Sequence, residues 1–153
     1  MKIERPEDEE LKELIESYGP TYFKEKQVYL EDTKYGLNQV KSKGEVFIEV
    51  KRADKVLGVR YSDGERYVLP SGRIGYDESL IEGAKRIALE KTNFKVKILR
   101  LKEIRRIHIK FSDELVERWN FFFESDIIEK NLDGEFKDIK FLKKVSKNER
   151  YPS

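Results

Sequence analysis

Apolar residues along this chain follow two periods, and the switch between them maps the elements. Leu11, Leu14, Ile15 and Tyr18 recur at helical spacing after Pro6, with acids in the first turn, so a short amphipathic helix is expected there, ended by Gly19-Pro20. Tyr22, Phe23, Val28, Tyr29 and Leu30 suggest an extended piece, and 36–44 reads as loop. Val46, Ile48 and Val50 alternate as in a strand, and Ala53-Asp54-Lys55 turns the chain into a second strand over 56–61. Asp63-Gly64 centres a hairpin turn, and Tyr67–Leu69 is a short strand stopped by Pro70-Ser71-Gly72. A helix is expected over 79–92, with Leu80, Ile81, Ala84 and Ala88 toward the core. Ser79 to Glu82 has capping-box spacing, and Asn93 stands where a left-handed residue closes a helix. Over 94–111 the pattern puts Phe94, Val96, Ile98, Ile107, Ile109 and Phe111 on one strand face, with a bulge or bend near Arg100 where Leu99 and Leu101 break phase. Ser112-Asp113-Glu114 turns into an aromatic strand at Trp119–Phe123. Asp133-Gly134 is a further turn, Ile139, Phe141 and Leu142 a last strand, and 146–149 the start of a short helix.

The length of 153 residues suits one domain with a real core. There is no cysteine, which excludes disulfides and thiolate metal sites. No apolar run approaches the roughly 18 residues of a membrane span, and the first ten residues hold no apolar signal core, so a cytoplasmic location is expected. Charged residues make up 41%, nearly balanced at +2, with Lys and Glu dominant, a composition that suits a thermophile's surface ion pairs. So small a net charge does not by itself argue for a nucleic-acid partner.

The segment from Leu69 to Phe94, LPSGRIGYDESLIEGAKRIALEKTNF, resembles the Nudix box, Gly-x5-Glu-x7-Arg-Glu-U-x-Glu-Glu-x-Gly-U with U aliphatic. Gly72 takes the glycine, Glu78 the first glutamate, Arg86 the arginine, Glu90 the first member of the paired glutamates and Phe94 the closing apolar position. The resemblance implies an α/β fold, an α/β/α sandwich with a mixed central sheet, here over 44–153, preceded by an N-terminal extension, a helix plus an extended segment, over 1–43. It also implies hydrolysis of a nucleoside diphosphate linked to another group, with Mg²⁺ or Mn²⁺ neutralising the diphosphate and activating water.

The departures bear on that chemistry. Ile87 stands for the glutamate after the arginine, Lys91 for the second of the glutamate pair, Asn93 for the closing glycine, Ser71 for the first of two glycines, and Gly75 for a frequent glutamate. Positions 87, 90 and 91 share one helix face, where the family presents three metal-binding carboxylates. Here the face offers Ile87, Glu90 and Lys91, with no net charge. An ammonium at about 4 Å from a metal site opposes each unit of cation charge by roughly 4 kcal/mol at an effective dielectric of about 20. Glu78 and Glu90 are the candidate catalytic residues, Glu90 also the candidate metal ligand, with Glu124 a supplementary acid; Glu78 and Arg86 also suit a bracing ion pair. Gly72, Arg73, Arg86 and Lys91 are the candidate phosphate-binding residues.

The lone His108 supports no triad and reads as a strand residue. The row Lys95, Lys97, Arg100, Lys102, Arg105, Arg106, His108 and Lys110 is either a solvated strand face or a stripe for phosphates or RNA. Tyr22, Tyr76 and Trp119 are candidates to stack on a base, and Glu124 and Asp126 follow the aromatic strand. Three readings stand. The chain binds a nucleotide or nucleoside-diphosphate-linked ligand with hydrolysis weak or absent; it is a divergent, active pyrophosphohydrolase that uses Mg²⁺ or Mn²⁺ as its cofactor; or it is a non-enzymatic RNA- or protein-interaction module. The apolar face of 1–43 also suggests a homodimer.

Overall fold

The computed structural model describes residues 2–19, 22–30, 42–111, 114–131 and 138–145. The elements run β1 (Lys2–Glu4), α1 (Asp8–Tyr18), β2 (Tyr22–Leu30), β3 (Gly44–Arg52), β4 (Lys55–Val59), β5 (Ser71–Ile74), α2 (Leu80–Thr92), β6 (Phe94–Phe111), β7 (Glu114–Lys130) and β8 (Ile139–Leu142). One mixed sheet has the order β2-β6-β7-β3-β4-β8, with β1 joined to β7 and β5 to β3. β2 with β6, β1 with β7 and β3 with β7 run parallel, and the other pairings are antiparallel. The mixed sheet and its helices are the expected α/β architecture. The segments before residue 44 supply two of its strands and a helix. No helix among the described residues is long and apolar enough to cross a membrane. The turn at Asp133-Gly134, the helix start at 146–149 and most of the 36–44 loop lie outside the described residues.

One face of the sheet carries the main core. Val46, Ile48 and Val50 of β3 and Phe121 and Phe123 of β7 meet Leu80, Ala84, Ile87 and Ala88 of α2, and Leu14 of α1 joins the same cluster. Strand alternation sends the neighbouring side chains to the other face, where Phe47 stacks on Phe122 at 4.7 Å beside Leu69. Both described helices contribute to this first-face core.

Three expectations are corrected. Residues 71–74 are not the loop that Pro70 and Gly72 suggest but an edge strand, Ser71 to Ile74 pairing with Phe47 to Gly44; proline at the approach to an edge strand costs no ladder bond. The strand expected over 56–61 ends at Val59, and the one over 67–69 reduces to a single bridge, Val59 with Val68. Ile107 and Ile109 do not share a face with Phe94, Val96 and Ile98. They form a separate cluster with Val28 and Val116, as plain alternation gives, because β6 carries two extra residues, between Ile98 and Arg100 and between Leu101 and Glu103, and the second undoes the face change of the single bend expected near Arg100. An extra residue in one strand changes which face every later side chain takes.

Candidate functional site

The helix that carries the box begins and ends as its sequence dictates. The Ser79 hydroxyl accepts from the Glu82 amide at 3.1 Å, and Asn93 closes the helix with φ 63°. Its first amide receives a side chain from far away in sequence. Leu80 N–H donates to Glu10 of α1 at 2.8 Å, and Lys43 holds the other oxygen of Glu10 at 2.7 Å. A carboxylate is favoured at this end by the helix dipole.

Arg86 gathers the two box glutamates. Its Nη2 donates to Glu78 at 2.5 Å, and Nη1 donates to Glu90 at 3.2 Å. These contacts, Glu78 first, raise the arginine's pKa above its already high value despite the opposing cost of burial. Glu78, Arg86 and Glu90 are therefore brought together as a brace between the approach to α2 and its middle. Ile87, where the family has a carboxylate, is only 4% exposed and belongs to the core. It lies over Gly72, as a Cβ on Gly72 would stand 2.3 Å from its Cδ1.

Other candidates are placed apart. In β5, Gly72 faces α2 and Arg73 the opposite side, 4.0 Å from Glu4. Glu124 also lies on that side, bound by Arg100 at 2.7 Å and Lys51 at 3.3 Å. Burial alone would raise its carboxyl, yet these cations hold it below the ordinary value. Arg73 and Glu124 are thus not gathered with Glu90 and Lys91. Among the described residues, no three acids or histidines cluster as a metal site. One carboxylate held by arginine, an isoleucine packed on glycine and a lysine do not fit the hard cation the resemblance implies.

Much of the basic row of β6 is matched by acids. Lys95 meets Glu129, Arg100 meets Glu124, Lys102 meets Glu49, and Arg106 meets Glu117 at 2.7 Å. His108 lies 3.9 Å from Glu25 and 3.8 Å from Glu117. Trp119 is buried between Phe23 and Phe121, with Arg5 on its face at 4.9 Å, whereas Tyr22 and Tyr76 are exposed.

What the structure adds is a cavity of about 230 Å³ at the end of α2, lined by Val59, Arg60, Tyr61, Glu90, Lys91 and Asp138. A wider groove lined by Arg60, Tyr61, Ser62, Asp63 and Asp138 adjoins it, since three of those residues line both. Lys91 Nζ lies 5.2 Å from the centre of the Tyr61 ring. Arg60 donates to Asp138 at 2.7 Å, and the Tyr67 hydroxyl donates to the other oxygen at 2.7 Å. The Tyr67 and Arg60 contacts hold Asp138 below its ordinary pKa. Arg60, Tyr61 and Asp138 carry no local sequence signal; only the pairing of β4 with β8 brings Asp138 to Arg60.

No protein-family model matches the sequence, and no curated protein is significantly similar to it. Among solved structures, a UDP-X diphosphatase aligns with TM-score 0.55 and 16% identity, covering 97% of this chain and 66% of that one. This chain thus spans just under two thirds of that protein's length. An ADP-ribose pyrophosphatase from Streptococcus suis aligns at TM-score 0.46 and 14% identity over 63% of this chain and 70% of its own. A Nudix hydrolase from Nitrosomonas europaea aligns at 0.44 and 18% over 64% and 55%. The likeness to the first shows the fold: this chain has a Nudix-like fold.

Proposed function

We propose that the chain binds a nucleotide or a related phosphate-bearing small molecule at the end of α2 without a box metal, and that hydrolysis is weak or absent. The observation that carries this reading is Lys91. It stands at a box position where the family has a carboxylate, it lines the cavity, and it has no carboxylate partner among the described residues. An ammonium about 4 Å from a phosphate oxygen contributes gross attraction of roughly 4 kcal/mol per charge at an effective dielectric of about 20, part of which desolvation cancels. Ile87 on Gly72 and Arg86 on Glu90 remove the other two members of the acidic face from metal duty.

The test is calorimetric titration of AMP, ADP and UDP in EDTA, paired with a phosphate-release assay in Mg²⁺ and Mn²⁺. The expected result is saturable binding in the chelator that weakens with added salt and is lost in Lys91→Glu. Robust metal-dependent hydrolysis by the unmodified protein, abolished by Glu90→Gln and by chelator, overturns the reading and establishes an active pyrophosphohydrolase instead.

A further inference from the structure

We propose that the cavity at the end of α2 is a subsite for a ribose bearing a single phosphate, with Lys91 at the phosphate, the Tyr61 ring under the sugar and Asp138 accepting from the hydroxyls. This rests on the metal-free phosphate reading and names the ligand class.

Charge matching comes first. Of the charged groups lining the cavity, Arg60 is answered by Asp138 at 2.7 Å and by Asp63 at 3.7 Å, and Glu90 is answered by Arg86 at 3.2 Å. Lys91 is left as the one cation of the lining without a carboxylate among the described residues. One ammonium offsets part of the charge of a phosphate monoester, which is about −1.5 to −2 at neutral pH. A diphosphate or triphosphate would bring further negative charge against Glu90 and Asp138 with nothing there to neutralise it.

Asp138 supplies the second selection. Its oxygens each accept one hydrogen bond, from Tyr67 and from Arg60. An ionised carboxylate has about four lone-pair sites, so roughly two remain. Held in its charged form, the group accepts and does not donate. It therefore repels phosphate and selects donors, which on a phosphorylated metabolite are hydroxyls. The cavity thus favours a ligand with an anion at one end and hydroxyls at the other.

Tyr61 supplies the third. It is half exposed, at 53%, and already carries a cation over its ring. Burial of its hydroxyl raises its pKa and keeps the phenol neutral. Its apolar surface suits the carbon face of a sugar or a base. The volume of about 230 Å³ lies below the roughly 300–1,000 Å³ of pockets for drug-sized ligands, so it takes the phosphoribosyl part, and a base would extend into the adjoining groove.

Asp138 also braces Arg60 and Tyr67, so the decisive edits are made on the ligand. The unmodified protein is titrated in EDTA with AMP, ribose 5-phosphate, 2′,3′-dideoxy-AMP, adenosine, ADP and inorganic pyrophosphate. Removing both hydroxyls is expected to weaken AMP by about tenfold or more. Adenosine should not bind, and ADP should bind no more tightly than AMP. Tyr61→Ala should cost about tenfold for AMP while Tyr61→Phe retains affinity. AMP binding above ribose 5-phosphate identifies a nucleotide as the occupant, equal affinities a sugar phosphate, and both support the inference. Dideoxy-AMP binding as well as AMP, or pyrophosphate and ADP binding more tightly than AMP, overturns the ribose inference and leaves the phosphate reading standing. No binding by any probe in EDTA sinks both.

Discussion

A Cβ on Gly72 would stand 2.3 Å from the Cδ1 of Ile87, and the converse contact is as close, with a Cβ on Gly83 standing 2.3 Å from the Cδ1 of Ile74. β5 and α2 therefore interlock twice, each presenting an isoleucine to the other's glycine. This contact occupies the helix face that a metal-binding box would keep polar.

Gly72→Ala is expected to destabilise the protein by about 1–3 kcal/mol, the usual cost of overpacking, with the flexible end of Ile87 absorbing part of it. Ile87→Ala alone leaves a hole and costs about 2–5 kcal/mol. The double variant should lose clearly less than the sum, because the alanine methyl enters the space Ile87 vacates. Urea denaturation of the four proteins checks this; strict additivity would mean that the two side chains do not compete for one space.

The acidic face is open to reconstruction. Ile87→Glu combined with Lys91→Glu should give a protein that takes up Mn²⁺ saturably at millimolar concentration, with binding lost again on Glu90→Ala. The unmodified protein should show no such heat in the same titration. Tight uptake by the unmodified protein that vanishes in Glu90→Ala would mean that Arg86 does not withhold Glu90 from metal.

Glu10→Ala removes the side chain that receives the Leu80 amide and pairs with Lys43. A hydrogen bond to a charged group contributes about 1.5–3 kcal/mol, so a loss in that range is expected. Hydrogen exchange should quicken at the Leu80 amide before the last turn of α2 responds. Unchanged protection there would show that the α1 contact does not hold the box helix.

Acid sensitivity follows from Glu117, Glu124 and Asp138. Burial would raise the first two, but Arg106 and Trp119 for Glu117, and Arg100 and Lys51 for Glu124, outweigh it, and Tyr67 and Arg60 lower Asp138. Carboxyls with folded pKa values below their unfolded ones stabilise the fold above the unfolded values and lose that contribution as pH falls through the folded ones. The thermal midpoint should therefore hold down to about 4.5, the ordinary glutamate value, and fall below it. Glu124→Gln should lower the midpoint at neutral pH and flatten the fall. A midpoint that falls equally steeply in the variant would exclude Glu124 from the effect.

Local periodicity and local chemistry made the box helix legible. The capping serine, the left-handed Asn93 and the apolar positions 80, 84 and 88 are all set within a few residues of one another, and each reappears in the structure. The pair of Glu78 with Arg86 was legible only through the resemblance to the Nudix box, whereas Arg86 and Glu90, four apart on the helix, are neighbours by spacing. The bend near Arg100 was visible in the broken alternation.

What tertiary structure alone decided depends on pairing between distant segments. Residues 71–74 become a strand because β3 offers them an edge, although proline and glycine there read locally as loop. A second register shift in β6, between Leu101 and Glu103 and fixed by its pairing with β7, undoes the first and leaves Ile107 and Ile109 on the far face. The cavity exists because β8 brings Asp138 to Arg60 and α2 ends over Tyr61. The sequence by itself determined the helix, its caps and the box register, because those forces act within one turn. Sheet edges, faces and the residues that line a cavity follow from hydrogen-bond pairing across long loops, which no local window of sequence contains.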